Sequence, residues 1–236
     1  MCLYRGWKPS TDGARCIDKY RYLQVVAANN HTCGLLTDGT VTCFGQVSPR
    51  RGTQHPPEIP HLDGTFTQIS TASKQTCGLS EDGLISCSGD YWPPEGAFDQ
   101  VSVAYGHACA LNREGIAICW GENPFGQLDV PKASFTAIAV SGSFSCGLTA
   151  DGSPLCWGGF GNIHRSIPDA SFDMLVAGGC HCCGLTAEGR LTCWGSNDFG
   201  QSTPPMVAFS EVVVRGDNTC GVTLDGSMAC WGNQFR

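Results

Sequence analysis

The sequence has 236 residues with a formal net charge of −7 at pH 7, and 16 of the residues are cysteine. An acidic chain lacks the basic surface that nucleic acids or anionic membranes require, and no apolar run is long enough to span a bilayer. So many cysteines are typical of a disulfide framework, which forms in an oxidising compartment. We therefore expect no nucleic-acid partner, no membrane span and an extracellular or cell-surface location.

The first 21 residues resemble the later sequence only loosely. They contain Cys2 and Cys16, an Asp-Gly dipeptide and a tryptophan, but 14 positions separate the two cysteines. We expect a disulfide between Cys2 and Cys16. The opening residues have no apolar signal-peptide core, so an extracellular location requires that the signal was removed or that the chain is one domain of a longer protein.

Six copies of one repeat follow, and together with residues 1–21 they are predicted to form a single domain over residues 1–236. Each copy opens with an aromatic residue in a segment that alternates apolar and polar residues, which is typical of a β-strand. Each copy then carries two cysteines ten positions apart, with an acidic-Gly dipeptide between them. The approximate repeat boundaries are 22–65, 66–97, 98–134, 135–171, 172–208 and 209–236.

The ten-residue cysteine spacing predicts a β-hairpin closed by a disulfide. Facing residues of an antiparallel hairpin have a constant index sum, so Cys33 opposite Cys43 places Leu35 opposite Val41. The residues left between the strands form a turn that ends in Gly39, and glycine readily adopts the positive φ of that position. No repeat offers the closely spaced cysteines that zinc favours, so we expect no metal. The predicted disulfides are Cys33–Cys43, Cys77–Cys87, Cys109–Cys119, Cys146–Cys156, Cys183–Cys193 and Cys220–Cys230.

Short β-units of nearly constant length are typical of a β-propeller, in which the units are blades arranged in a ring. Four repeats contain Cys-Trp-Gly, and a tryptophan that recurs in register is expected to pack between neighbouring blades. The predicted fold is therefore an all-β propeller with one disulfide in each hairpin. We expect seven blades, with residues 1–21 as a degenerate closing blade. The alternative is a six-bladed ring with an N-terminal cap.

The full pattern runs Val-x-Ala-Gly-x-x-His-x-Cys-Gly-Leu-x-x-Asp-Gly and continues to Cys-Trp-Gly-x-Asn-x-x-Gly-Gln, as at Cys193 to Gln201. It resembles the regulator of chromosome condensation repeat family, and within it the cysteine-bearing repeats of secreted proteins and of crinkly-type plant receptor ectodomains. The resemblance implies a β-propeller, commonly of seven blades, whose loops contact protein partners. It implies no single activity, because the family includes a nuclear exchange factor, propeller-type inhibitors and receptor ectodomains.

Two further cysteines, Cys180 and Cys182, directly precede the first cysteine of the fifth repeat. With Cys2 and Cys16 they allow three pairings, among which sequence does not choose. We favour Cys2–Cys16 and Cys180–Cys182. The alternatives for the second pair are a metal site that includes His181, or a cross-link between molecules.

Three histidines, His31, His107 and His181, lie two residues before the first cysteine of their repeats. One interpretation is that their imidazoles line a central channel as a ligand site. The interpretation we favour is that each histidine hydrogen-bonds a turn in its own blade. The chain has no nucleophile elbow, zinc-protease motif or phosphate loop, so we predict no catalytic residues, no cofactor and no enzyme activity.

Departures from the repeat are the candidate binding loops, because irregular loops carry function on regular scaffolds. Arg50 and Arg51 lie in the longest insertion, between the first and second repeats. Tyr91 and Trp92 precede two prolines, and such aromatic residues make good contact anchors. The alternative for Trp92 is that it fills the space left by Ser88, which stands where other repeats have tryptophan.

These observations predict an extracellular, non-catalytic scaffold that binds proteins or itself, as an adhesin, a receptor ectodomain or a subunit of a surface structure. A glycan is a further candidate ligand, and Asn30 begins a glycosylation sequon. One alternative is a soluble inhibitor or lectin-like binder that uses one propeller face. Another is an exchange factor for a small GTPase, which the cysteine content and the acidic charge oppose.

Overall fold

The computed structural model describes residues 7–9, 16–18, 21–28, 31–45, 61–73, 75–159, 163 and 166–233, with only the backbone of 7–9 and 16–18. Twenty β-strands lie in these residues. The strands are β1 Trp7–Pro9, β2 Cys16–Asp18, β3 Tyr22–Ala27, β4 His31–Leu36, β5 Val41–Gly45, β6 Gln68–Ala72, β7 Gln75–Leu79, β8 Ile85–Gly89, β9 Gln100–Val103, β10 His107–Leu111, β11 Ala117–Gly121, β12 Phe135–Val140, β13 Phe144–Thr149, β14 Pro154–Gly158, β15 Met174–Ala177, β16 His181–Leu185, β17 Leu191–Gly195, β18 Phe209–Arg215, β19 Asn218–Thr223 and β20 Met228–Gly232.

Strands β3 to β20 form six antiparallel three-stranded sheets, one for each repeat, which we number blades 1 to 6. In every blade the chain runs through an inner, a middle and an outer strand, and the two cysteines of the repeat face each other across the middle and outer strands. Leu35 pairs with Val41, and Gly39 has a φ of 83°, as the spacing predicts. All six predicted repeat disulfides are formed, each with its Cα atoms 4.0–4.1 Å apart.

The described residues contain six blades, so the preferred prediction of seven is wrong and the six-bladed alternative fits. The described residues 7–9 and 16–18 form the pair β1–β2, in which Trp7 pairs with Asp18 and Pro9 with Cys16. Among the described residues this sheet has two strands rather than the three of a blade. The physical reason is local, because the wider cysteine spacing of this segment does not match the ten-residue hairpin and each of its strands has only three residues.

In every blade except blade 3, which has Ala110, the first aromatic residue packs on the glycine that follows the first cysteine of the same blade. A Cβ atom on Gly147 would lie 2.3 Å from Cδ1 of Phe135, so the ring occupies the space that a side chain would need. Trp157 then packs beside Phe135, with ring centroids 5.4 Å apart. The same cluster contains residues of blade 3, such as Leu111. The tryptophan therefore packs between neighbouring blades, as predicted.

Residues of the six inner strands or of the turns beside them line a central cavity of about 470 Å³. Consecutive inner strands pack against each other from β3 through β6, β9, β12 and β15 to β18. Within the part of the chain that is described, β18 and β3 lack a comparable packing contact. As far as the described residues show, the blades therefore form a ring with one open side, between blade 6 and blade 1.

Candidate functional site

Blade 1 exposes an aliphatic side chain that the other blades bury. The fourth residue of each inner segment packs against the preceding blade, as Val101 does against blade 2 and Ile138 against blade 3. Both of these side chains are 1% exposed, whereas Val25 at the same position in blade 1 is 61% exposed. Apolar side chains at a position built for burial are typical of an unpartnered interface.

A nearby side chain extends this apolar surface. Leu23 is 65% exposed, whereas Val213 of blade 6, which is 57% exposed, lines the central cavity. We call Leu23 and Val25 the open-side surface. Our sequence analysis missed this surface. A signal was available, because every other repeat has a polar residue where blade 1 has Leu23. Those residues are Thr67, Asp99, Thr136, Asp173 and Ser210.

Of the two adjacent aromatic residues, Tyr91 is held by a hydrogen bond and Trp92 is exposed. The Tyr91 hydroxyl donates a 2.5 Å hydrogen bond to Oε1 of Glu122, and the ring packs against the core between blades 2 and 3. Partial burial, together with the Glu122 carboxylate, raises the pKa of Tyr91 to about 12. Trp92 is 87% exposed, so it does not fill the space left by Ser88. It remains a candidate contact residue.

The three histidines singled out in the sequence form hydrogen bonds between consecutive blades. Each imidazole Nε2 hydrogen-bonds a hydroxyl group of the following blade, and none of the rings lines the central cavity. Both interpretations made from the sequence are therefore wrong, since the partners lie neither in the channel nor in the histidine's own blade. The pairs are His31–Thr71 at 2.8 Å, His107–Ser145 at 2.9 Å and His181–Thr219 at 2.7 Å.

The hydrogen-bond pattern shows that Nε2 of His107 carries a proton. The Ser145 hydroxyl donates to the Gln127 carbonyl, so the Nε2–H group of His107 donates to Ser145. Its Nδ1 atom has no partner among the described residues. Burial lowers the pKa of His107 to about 4, against a smaller opposing effect of Glu122. His181 has the same arrangement through Thr219 and Gln201, and burial lowers its pKa to about 4 as well.

Cys180 and Cys182 are both free thiols, so the predicted disulfide between them is wrong. Cys180 lies exposed before β16, whereas Cys182 lies within β16 and is fully buried. The Cys182 Sγ lies 3.5 Å from the Sγ of Cys146 in blade 4. The alternative metal site at residues 180–182 does not form either, because the His181 ring bonds blade 6. The sulfur atoms that come together are those of Cys146, Cys156 and Cys182, within 4.8 Å of one another.

Several predicted sites lie outside the described residues. These are Asn30, Arg50, Arg51 and Cys2, and for Cys16 only the backbone is described. The Cys2–Cys16 disulfide, the glycosylation site and the arginine loop therefore stay predictions.

A sequence model of the regulator of chromosome condensation (RCC1) repeat matches residues 23–47, 98–127 and 175–201. These segments belong to blades 1, 3 and 5, which are the blades that carry the three histidines. This chain carries RCC1 repeats. No curated protein sequence matches it significantly.

Solved structures with the same fold include plant receptor ectodomains. The CRINKLY ectodomain of the Arabidopsis thaliana receptor kinase ACR4 superposes with a TM-score of 0.74 at 22% identity, over 93% of this chain and 82% of that one. The ectodomain of the Physcomitrella patens receptor kinase CR4 gives 0.72 at 26% identity, over 89% of this chain and 64% of that one. Yeast RCC1 (Prp20), solved bound to Kap60, gives 0.72 at 14% identity, over 89% and 70%. The RCC1 repeats therefore fold here as they do in these propellers.

The described residues contain no helix that is both long and apolar enough to cross a membrane.

Proposed function

We propose that this RCC1-repeat chain is an extracellular, non-catalytic propeller that binds proteins. The observation that carries the proposal is the open-side surface, where Val25 is exposed at a position that the other blades bury and Leu23 is an exposed apolar side chain where the other blades expose polar ones. The six disulfides support an oxidising compartment, and the similarity to two receptor-kinase ectodomains supports the same location.

The histidines support a non-catalytic role. His107 and His181 are the titratable imidazoles with the most perturbed pKa values, which often mark active sites. Both are fully buried and both are occupied in bonds between blades. They are therefore structural ties rather than groups that could exchange protons with a substrate.

The compartment is tested by alkylating thiols of protein taken from its native source, before and after reduction, and measuring the intact mass. We expect the six repeat pairs to resist alkylation until the protein is reduced, whereas exposed Cys180 reacts at once. Alkylation of most repeat cysteines without reduction would contradict the proposal and would favour an intracellular exchange factor.

The finer form of the proposal is self-assembly through the open-side surface. Each interface between consecutive blades packs one blade against the inner strand of the next. Within the described residues, blade 6 lacks a following blade and blade 1 lacks a preceding one. A second copy can bring these two blades together head to tail, which builds a chain of molecules rather than a closed pair. The acidic net charge limits this association at low salt.

Self-assembly is tested by sedimentation velocity of the protein over a wide range of concentrations at physiological salt. We expect reversible association that the double variant Leu23→Thr/Val25→Thr weakens at least tenfold, since it removes two exposed apolar side chains. Leu84→Thr is the matched control, because Leu84 is 57% exposed but lies in blade 2. A monomer at every concentration, or equal weakening by the control, would contradict self-assembly through this surface.

A further inference from the structure

The residue before the first repeat cysteine occupies a recurring position that faces the preceding blade. In blade 2 this residue is Thr76, whose hydroxyl lies 3.3 Å from the His31 imidazole of blade 1. In blade 4 it is Ser145, whose Oγ lies 3.6 Å from the Cys109 Sγ of blade 3. In blade 5 the same position is Cys182. A position that elsewhere presents a hydroxyl group to the neighbouring blade thus presents a thiol to the Cys146–Cys156 disulfide.

The interface between blades 4 and 5 also lacks a hydrogen bond that the three preceding interfaces share. In blades 1, 2 and 3 an inner-strand glutamine accepts a hydrogen bond from a backbone N–H of the next blade, as Gln100 does from Ile138 at 2.9 Å. Blade 4 has Ala137 at that position, so no such bond reaches blade 5.

Two other recurring ties are missing from this interface. Blade 4 has Phe144 in place of the histidine that bonds the next blade. The Nε1 atom of Trp194 in blade 5, like that of Trp120 in blade 3, has no acceptor among the described residues, whereas Trp157 and Trp231 donate to carbonyl groups of Gln127 and Gln201. A bond from the Ser141 hydroxyl to the Gly179 carbonyl remains. The sulfur contact therefore lies at an interface with few polar contacts between blades among the described residues.

We propose that the Cys182 thiol exchanges with the Cys146–Cys156 disulfide and thereby moves this cross-link from within blade 4 to between blades 4 and 5. Cys182 loses its proton to a solvent base, and its thiolate attacks Sγ of Cys146. The Cys146–Cys156 bond breaks, and Cys156 leaves as a thiolate that takes up a proton. The numbers of disulfides and thiols are unchanged, so the step needs no oxidant or reductant.

Cys182 contacts the Cys146 sulfur, but it lies beside the Cys146–Cys156 bond rather than in line with it, since all three Sγ atoms are within 4.8 Å of one another. We therefore expect a slow reaction. The two Sγ atoms, 3.5 Å apart, need to approach by roughly 1.5 Å to reach a disulfide bond length. Burial raises the pKa of the Cys182 thiol, so the closed interface keeps it protonated. Exchange therefore requires a brief local separation of blades 4 and 5. This opening allows the molecule to reach a second disulfide pairing, Cys146–Cys182.

Disulfide mapping of the full chain tests the exchange. The protein is incubated at mildly alkaline pH in denaturant below its unfolding transition, quenched with acid at intervals, alkylated and digested without reduction. We expect a linked peptide containing Cys146 and Cys182 to accumulate, with alkylation of Cys156 rising as alkylation of Cys182 falls by the same amount. Cys180→Ser should leave this time course unchanged, whereas Cys182→Ser should abolish it.

The variant Cys156→Ser tests the geometry directly, because it leaves the Cys146 and Cys182 thiols facing each other. With oxidised glutathione we expect a Cys146–Cys182 disulfide in the folded variant, as judged by its circular dichroism. An unchanged Cys146–Cys156 bond at all times in the natural chain would overturn the proposal. So would alkylation of Cys182 without any loss of that bond, or mixed disulfides with glutathione in place of the Cys146–Cys182 link in the variant.

Discussion

Replacing Gly121 with alanine is expected to lower the free energy of unfolding by about 2–4 kcal/mol. Gly121 ends the outer strand of blade 3 with a φ of 111°, a conformation that side chains with a Cβ atom rarely adopt. An added Cβ atom would lie 2.4 Å from the Gly106 carbonyl oxygen and 2.8 Å from Cα of His107. Both neighbours are backbone, so the clash is not relieved by a side-chain rotation. Urea unfolding under non-reducing conditions measures the loss.

Gly142→Ala is the matched control for this substitution. A Cβ atom on Gly142 would have no atom within 4 Å. Its cost is expected to stay within about 0.5 kcal/mol, as for most surface substitutions. Equal midpoints of unfolding for the two variants would show that the close approach at Gly121 does not constrain the blade.

Acidification is expected to destabilise the fold between about pH 6.5 and pH 4 through the buried histidines. His107 and His181 have folded pKa values of about 4, below the value of 6.5 for a free imidazole. In this range the unfolded chain binds protons that the folded chain does not, so the stability present above pH 6.5 falls as the pH falls. Each residue contributes on the order of 3 kcal/mol to this loss. Thermal unfolding at a series of pH values measures it.

The variant His107→Gln separates this effect from other titrations, since blade 2 already buries Gln75 at the same position. We expect the variant to lose less stability on acidification than the natural chain, although it starts less stable at pH 7. The turn carboxylates titrate lower, because hydrogen bonds hold the pKa of Asp151 and Asp225 below the ordinary value of 3.8. Parallel pH curves for the variant and the natural chain would show that His107 is not the source.

Features within one hairpin could be predicted from the sequence because they depend on local spacing. The pairing of Cys33 with Cys43, the facing of Leu35 and Val41 and the positive φ of Gly39 all follow from index arithmetic within one repeat. The histidine bonds join residues 38 to 40 positions apart and exist only because the blades stack around an axis. The sequence does contain a signal for these bonds. Blades 1, 3 and 5 carry the histidine, and in blades 2, 4 and 6 a hydroxyl residue precedes the first cysteine.

The errors at the extra cysteines and in the blade count have different origins. Cys180 and Cys182 are close in sequence, but one lies in a turn and the other on a strand, where it is directed toward the neighbouring blade. The expectation of seven blades comes from the family and from a cysteine pair in residues 1–21, whereas the described part of that segment forms two short strands.

Because of the open side between blades 6 and 1, the blades are not all stabilised by the same number of neighbours. A closed ring has no ends, so every unit is held by two neighbours, whereas the six described blades form a linear array with a first and a last member. The end members rely on one neighbour each, and the half-buried Tyr22 and Trp231 belong to them, whereas Phe135 and Trp157 are buried in the middle of the array. Unfolding of such an array begins at its ends and moves inward, so the disulfides of the terminal blades limit how far fraying can proceed.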